Sequence, residues 1–262
     1  MIYVCVPSYN EAATVGLLCW KVRQVFTRFP REYQLLVVDD GSADATREVL
    51  ESYTRVLPLT VLRHASRQGY ARSVEELLRT AVDRTDRPKR DCAILMHADF
   101  CHGPDALPDL IRRIDSGADL VIAEGTLERH TPRALRLLRR SASMLLGRAA
   151  RVPGVDDPVS GFAAFRLVTL RNTFRAQTGG GALLTSDGWA ANAELFSRAA
   201  RHARRIDTIQ VVERHDLRQR KSRARPWEMA KAIWRAGRQL RRAGLPPLPT
   251  PAAAEAAMGD AR

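Results

Sequence analysis

The chain alternates short apolar runs with longer stretches of mixed polarity. Residues 2–6, 34–38, 59–62, 92–96 and 120–123 are each short and rich in Val, Ile or Leu, with little polar alternation. That pattern predicts strands buried on both faces of a parallel sheet. Between the runs, apolar positions recur at helical spacing over roughly 11–28, 43–54, 69–83 and 105–116. Strand and helix in turn make βαβ units, so the predicted fold class is α/β: a mostly parallel, doubly wound sheet with flanking helices. Ser42-Ala43-Asp44-Ala45 puts small polar residues in the turn before one helix, and Pro108 lies near the start of another.

The regularity weakens after residue 123. Residues 132–150 predict a basic amphipathic helix whose apolar positions are Leu135, Leu138, Leu145 and Leu146. A Pro/Gly/Asp segment at 153–161 follows, then a strand-like run from Phe162 and a Gly-rich loop at Gly179-Gly180-Gly181. A helix over 189–201, a last strand over 208–212 and one further helix from 226 complete the pattern. The organisation expected is an α/β domain over 1–215, a basic loop and amphipathic helix over 216–244, and a Pro/Ala-rich disordered tail over 245–262.

Composition narrows the setting. An apolar content of 45% in 262 residues is enough for a sizeable core. Cys5, Cys19, Cys92 and Cys101 form no CxxC pair and read as reduced thiols, which predicts a cytoplasmic protein. No run of apolar residues is long enough to span a bilayer, and the chain opens directly in a strand pattern, so neither a transmembrane helix nor a signal peptide is expected. The net charge is +13, and residues 214–242 hold eleven basic residues against Asp216 and Glu228. Such a segment attracts anionic surfaces. Trp227, Ala230, Ile233, Trp234, Gly237 and Leu240 share one side of the last helix, with Lys231, Arg235, Arg238, Arg241 and Arg242 filling much of the rest. Tryptophan beside basic residues is the pattern of a helix lying in a membrane interface, which predicts peripheral attachment at the inner face of a membrane. Packing of the Trp side onto the α/β domain is the competing reading. No aromatic-rich basic sheet motif appears, so no nucleic-acid partner is predicted.

The candidate chemistry sits at strand ends. In open parallel sheets ligands bind outside the carboxyl ends of the strands. Three such ends carry polar clusters: Pro7-Ser8-Tyr9-Asn10-Glu11, Asp39-Asp40-Gly41-Ser42 and His97-Ala98-Asp99. The first two can accept N–H bonds from a nucleobase or ribose. The third suits a hard divalent cation, Mg2+ or Mn2+, that bridges to substrate phosphates. A nucleotide sugar needs such help because its leaving group is a charged diphosphate. The GxGxxG turn of dinucleotide-binding domains is absent.

The chain resembles the family 2 glycosyltransferases of the GT-A fold, above all the dolichol-phosphate mannosyltransferase-like branch. The matching pieces are VPSYNEAATV from Val6, LLVVDDGSADAT from Leu35, RQGYARSV from Arg67, ILMHADF from Ile94 and DDPVSGFAAFR from Asp156. They fall in the family's order over roughly residues 1–215. The resemblance implies an inverting transferase that uses a nucleotide sugar. It implies that Pro7, Tyr9, Glu11, Asp39 or Asp40, Gly69 and Ala98 line the donor pocket and that Asp99 binds the metal. The metal motif departs from the family's Asp-x-Asp: His97 holds the first position. It either joins the metal site, with Cys101 nearby to favour softer ions, or packs against the sheet end or the diphosphate.

The segment containing Asp157 and Ser160 lies where the family places acceptor-side residues. A carboxylate there serves a hydroxyl acceptor as general base; an already ionised phosphate acceptor needs none. Asp187 and Glu194 are further base candidates. Arg218, Arg220, Lys221 and Arg223 resemble the family's basic loop, which implies a clamp on diphosphate or lipid phosphate. The acceptor expected is a polyprenyl-phosphate-type lipid. The alternatives are a soluble sugar or small-molecule hydroxyl, or a non-catalytic nucleotide-sugar binder.

Overall fold

The structure, a computed structural model, describes residues 1–127, 133–148, 150–177, 181–213, 225–243 and 248. The strands are β1 (Ile2–Ser8), β2 (Tyr33–Asp39), β3 (Leu59–Arg63), β4 (Cys92–Leu95), β5 (Leu120–Leu127), β6 (Ala163–Arg166) and β7 (Ile206–Glu213). They form one seven-stranded sheet in the order β3-β2-β1-β4-β6-β5-β7. Only β6 runs against its neighbours, β4 and β5; the other pairs are parallel. The helices are α1 (Val15–Arg28), α2 (Thr46–Tyr53), α3 (Tyr70–Arg84), α4 (Leu107–Asp115), α5 (Arg133–Leu146), α6 (Leu167–Arg175), α7 (Trp189–Ala200) and α8 (Pro226–Arg242).

The runs of β1, β2, β4 and β5 become inner strands because successive side chains enter two different cores, whereas the run at 59–62 forms the edge strand β3 and is only half-buried, not covered on both faces. Val4, Val6, Leu35 and Val37 face Leu18 and Val22 of α1, Leu50 of α2 and Leu110 of α4. Tyr3, Cys5, Leu36 and Val38 face Leu77 and Leu78 of α3, Leu170 of α6 and Phe196 of α7. Each fully buried leucine or valine contributes about 1.5–3 kcal/mol, so these strands have no solvent face to spare for polar residues.

A third core joins α5, α7 and α8. Leu138, Ala142 and Leu146 meet Ala190, Ala193, Ile233, Ala236 and Leu240 there. A Cβ on Gly237 would lie 2.2 Å from the Leu146 carbonyl oxygen, so the missing side chain is what lets α8 seat on α5. The last helix is therefore packed onto the α/β body. Its apolar side divides: Ile233 and Leu240 are buried, whereas Trp227 and Trp234 are 80% and 45% exposed.

Two local expectations are corrected. Residues 11–14 form a turn ahead of α1, because the Thr14 and Val15 amides donate to the Glu11 carbonyl at 3.0 and 2.9 Å. The strand-like run from Phe162 yields only the four residues of β6 before α6 begins. Val168 and Thr169 are β-branched and mimic a strand, but Leu167 and Leu170 sit one helical turn apart and enter the second core. Gly179, Gly180, the basic loop 214–224 and the tail 245–262 apart from Leu248 lie outside the described residues. Leu248 itself packs against the second core.

Candidate functional site

The carboxyl ends of β1, β2 and β4 open on one cavity of about 340 Å3. Pro7, Tyr9, Glu11, Asp40, Ala98 and Asp99 line it from the strand ends, and Arg139, Trp189 and Glu213 close it from α5, α7 and β7. The first two loops are locked together locally. Asn10 takes a left-handed φ of 54°, which asparagine tolerates better than most residues. Its amide N–H donates to Ser42 Oγ at 2.9 Å, and its Oδ1 accepts the Ala43 N–H at 2.8 Å. The Glu11 N–H donates to Thr46 Oγ1 at 2.9 Å, and the Glu11 carboxylate accepts from Thr14 Oγ1 at 3.0 Å. Arg67 stacks its guanidinium over the Tyr9 ring at 4.6 Å.

The two aspartates of β2's end have different surroundings. Asp39 does not line the cavity; its Oδ1 accepts the Ser42 N–H at 3.1 Å and its Oδ2 lies 3.6 Å from Arg63. Asp40 lines the cavity and accepts the Gln68 and Gly69 amides at 2.7 and 2.9 Å. Gly69 does not line the cavity itself but turns the chain into α3 at φ 100°. Asp187 lines the cavity and accepts the Ala71 N–H at 2.9 Å.

His97 lines the cavity inside a ring column. Its centroid lies 5.2 Å from Tyr70 and 6.4 Å from His102, nearly parallel to both. A Cβ on Gly161 would lie 1.8 Å from His97 Nε2, so that nitrogen abuts main chain. Tyr70 donates to Asn192 Oδ1 at 2.8 Å, and burial raises its pKa well above the ordinary phenol value. Asp99 Oδ1 accepts the Cys101 N–H at 3.2 Å. All four cysteines are buried and none is in a disulfide; burial pushes Cys19 and Cys92 up to about 12. Among the described residues no three His, Cys, Asp or Glu side chains gather as a metal-ligand group.

A buried ionic network stands behind the far wall. Arg139 Nε donates to Asp157 Oδ1 at 2.9 Å, and its two terminal nitrogens donate to Asp157 Oδ2 and Glu213 Oε2. Glu213 Oε1 in turn lies 2.9 Å from His102 Nε2. Burial lowers the Arg139 pKa, but the bonds to Asp157 and Glu213 outweigh it and leave the value raised, so this guanidinium is always charged. Asp157 is thus placed as Arg139's partner, with both oxygens engaged, and it does not line the cavity. Ser160 is also held back from the cavity: its hydroxyl donates to the Ala123 carbonyl at 2.6 Å, tying β5 to the turn before β6. Glu194 is buried on Arg198 and the Thr185 and Ser186 amides. Arg218, Arg220, Lys221 and Arg223 lie outside the described residues.

Arg139, His102, Glu213 and Trp189 are among the cavity residues that sequence reasoning missed. Arg139 sat in a helix read only as amphipathic. Its partner Glu213 is 74 residues away, and Glu213 is 111 residues from His102. No local spacing announces such a cluster.

Comparison with known proteins identifies the family and the fold. The chain is similar to dolichol-phosphate mannosyltransferase of Pyrococcus furiosus, 29% identical over 171 residues that make up 63% of this chain and 46% of the relative. It is also similar to polyprenol monophosphomannose synthase of Mycolicibacterium smegmatis, 28% identical over 173 residues, 62% of this chain and 60% of the relative. The chain thus spans about half the length of the curated relatives it matches. Its fold is the GT-A fold, shared with glucosyl-3-phosphoglycerate synthase from Mycobacterium tuberculosis, solved in complex with Mn2+, UDP-glucose and phosphoglyceric acid. That pair has a TM-score of 0.59 at 20% identity, covering 94% of this chain and 80% of the other. Residues 3–174 match the profile described as Glycosyl transferase family 2, well over half of the sequence, and the chain belongs to that family.

Proposed function

We propose that this chain carries an inverting transferase that moves a sugar from a nucleotide-diphosphate sugar to the phosphate of a polyprenyl-type lipid. The observation that carries the reading is the cavity itself: Glu11, Asp40 and Asp99 from three strand ends on one side, the charged Arg139 on the other. The carboxylates suit the hydrogen-bond donors of a nucleoside, and the guanidinium suits phosphate oxygens. An oxygen of the acceptor phosphate attacks the anomeric carbon opposite the diphosphate. The new C–O bond forms as the old one breaks, and the nucleoside diphosphate leaves with the electron pair. Phosphate monoesters are ionised near neutral pH, so this acceptor needs no general base. The double engagement of Asp157 by Arg139 supports that choice over a hydroxyl acceptor. The names of the polyprenol and dolichol relatives support it too.

A hard divalent cation fits Asp99 when diphosphate oxygens complete its shell, where it would neutralise the leaving group. His97 fits that role poorly, with its Nε2 against Gly161 and its ring faces toward Tyr70 and His102. Arg218 and Arg220 remain our candidates for a clamp on diphosphate or lipid phosphate. Exposed Trp227 and Trp234, with Lys231, Arg235, Arg238, Arg241 and Arg242 on the same helix, support attachment to an anionic membrane. No helix among the described residues is long and apolar enough to cross one.

The donor half of the proposal is tested by calorimetry with UDP, GDP and their sugars, with and without Mn2+. One nucleotide series is expected to bind, more tightly with the cation. Asp99→Ala is expected to remove the cation dependence while the protein stays folded. Unchanged cation dependence in that variant would take Asp99 out of the metal role.

A further inference from the structure

We propose that His64 and Glu76 are positioning residues for the donor pocket, forming with Asp40 a proton-dependent clasp that makes nucleotide affinity fall at alkaline pH. The inference rests on the donor reading above. His64 follows β3, and its side chain is only 8% exposed. Its Nδ1 lies 2.6 Å from Asp40 Oδ1 and its Nε2 lies 2.7 Å from Glu76 Oε2. Ionised carboxylates only accept hydrogen bonds. Both ring nitrogens must therefore donate, and the ring form that does so is the imidazolium. Removing one proton would leave a nitrogen lone pair facing a carboxylate oxygen.

The clasp is one bond removed from the pocket. His64 and Glu76 do not line the cavity, whereas Asp40 does. Asp40 also holds the Gln68 and Gly69 amides, so the same carboxylate fixes the turn into α3. The charged groups facing the ring are Asp40 from β2's end and Glu76 from α3. Arg63 turns to Asp39 and Glu51, Arg67 lies over Tyr9, and Arg79 of α3 turns to Glu75.

The direction with pH follows. Burial lowers the pKa of His64, and the bonds to Asp40 and Glu76 together outweigh it, leaving it raised. A raised value means the clasp is complete below the ordinary imidazole pKa and is lost as pH climbs through the raised one. Loss removes a positive charge beside the site for a polyanionic donor, leaves the Asp40 and Glu76 carboxylates uncompensated, and loosens the Gln68–Gly69 turn. Both effects weaken donor binding.

The test is calorimetry with UDP and GDP in Mg2+, from about pH 6 to about pH 9, alongside an NMR titration of the His64 ring. If bound nucleotide raises the ring pKa by one unit, wild-type affinity falls about tenfold across its titration. The fall should share its midpoint with the His64 ring signal. His64→Asn keeps a donor for Asp40 but cannot titrate, so its profile should lose the alkaline fall and keep only the change due to ionisation of the nucleotide's own terminal phosphate at about pH 6. Glu76→Gln can either accept from the charged ring or donate to the neutral one, so its midpoint should move to lower pH. A His64→Asn profile as steep as the wild type overturns the proposal, as does a flat wild-type profile with tight binding. Failure of both nucleotides to bind at any pH would instead remove the donor reading, and this inference with it.

Discussion

Gly161 has no side chain because His97 stands where one would go. A methyl there would sit 1.8 Å from Nε2, against a ring already held between Tyr70 and His102. Gly161→Ala should therefore cost about 1–3 kcal/mol, as overpacking does in a filled core, and appear as a lowered Tm. An unchanged Tm would mean that the His97 ring moves freely. At Arg139 charge decides the cost of a substitution. Asp157→Asn weakens the pairing of a buried guanidinium, and breaking such pairs costs about 3–5 kcal/mol. Urea unfolding should show a loss approaching that range; a loss near zero would contradict the pairing. At this scale the sequence was legible where a residue acts with its chain neighbours. Pro7 at the end of β1, and Tyr9, Glu11, Asp40, Ala98 and Asp99 just after strand ends, do line the cavity. Asp157 and Ser160 do not line it, and their partners, Arg139 and the Ala123 carbonyl, lie 18 and 37 residues back.

The elements were legible where burial is two-sided. Strands β1, β2 and β4 fill both cores and so read as unbroken apolar runs. Helix α6 was hidden by its β-branched residues, and the reversed direction of β6 left no trace in its composition. Helix α8 carries the clearest prediction at this scale. Trp227 and Trp234 project from it while Ile233 and Leu240 anchor it. The double substitution Trp227→Gln and Trp234→Gln should leave unfolding free energy within about 0.5 kcal/mol, as exposed positions do. It should sharply reduce co-sedimentation with anionic vesicles. Gly237→Val should do the reverse first: its Cβ would meet the Leu146 carbonyl at 2.2 Å, so α8 should unseat and stability should fall. Equal sedimentation of wild type and the double variant would remove the tryptophans from any membrane contact.

For the whole molecule, the sheet order sets the function's geometry. Placing β1 beside both β2 and β4 gathers three polar strand ends on one side, and β7 brings Glu213 to the opposite wall. The same arrangement sets α8, with its exposed tryptophans, against α5, the helix that supplies Arg139. The proposed donor cavity and the helix that carries the exposed tryptophans thus lie on neighbouring elements, as the proposed transfer at a membrane surface requires. The most direct measurement is transfer itself: the protein with Mg2+ or Mn2+, radiolabelled UDP- and GDP-sugars, and polyprenyl phosphate in anionic vesicles. The account predicts label in the organic phase as a lipid-linked sugar phosphate, with inverted anomeric configuration and stoichiometric release of nucleoside diphosphate. Label passing instead to water-soluble hydroxyl acceptors, with none in lipid, would contradict it.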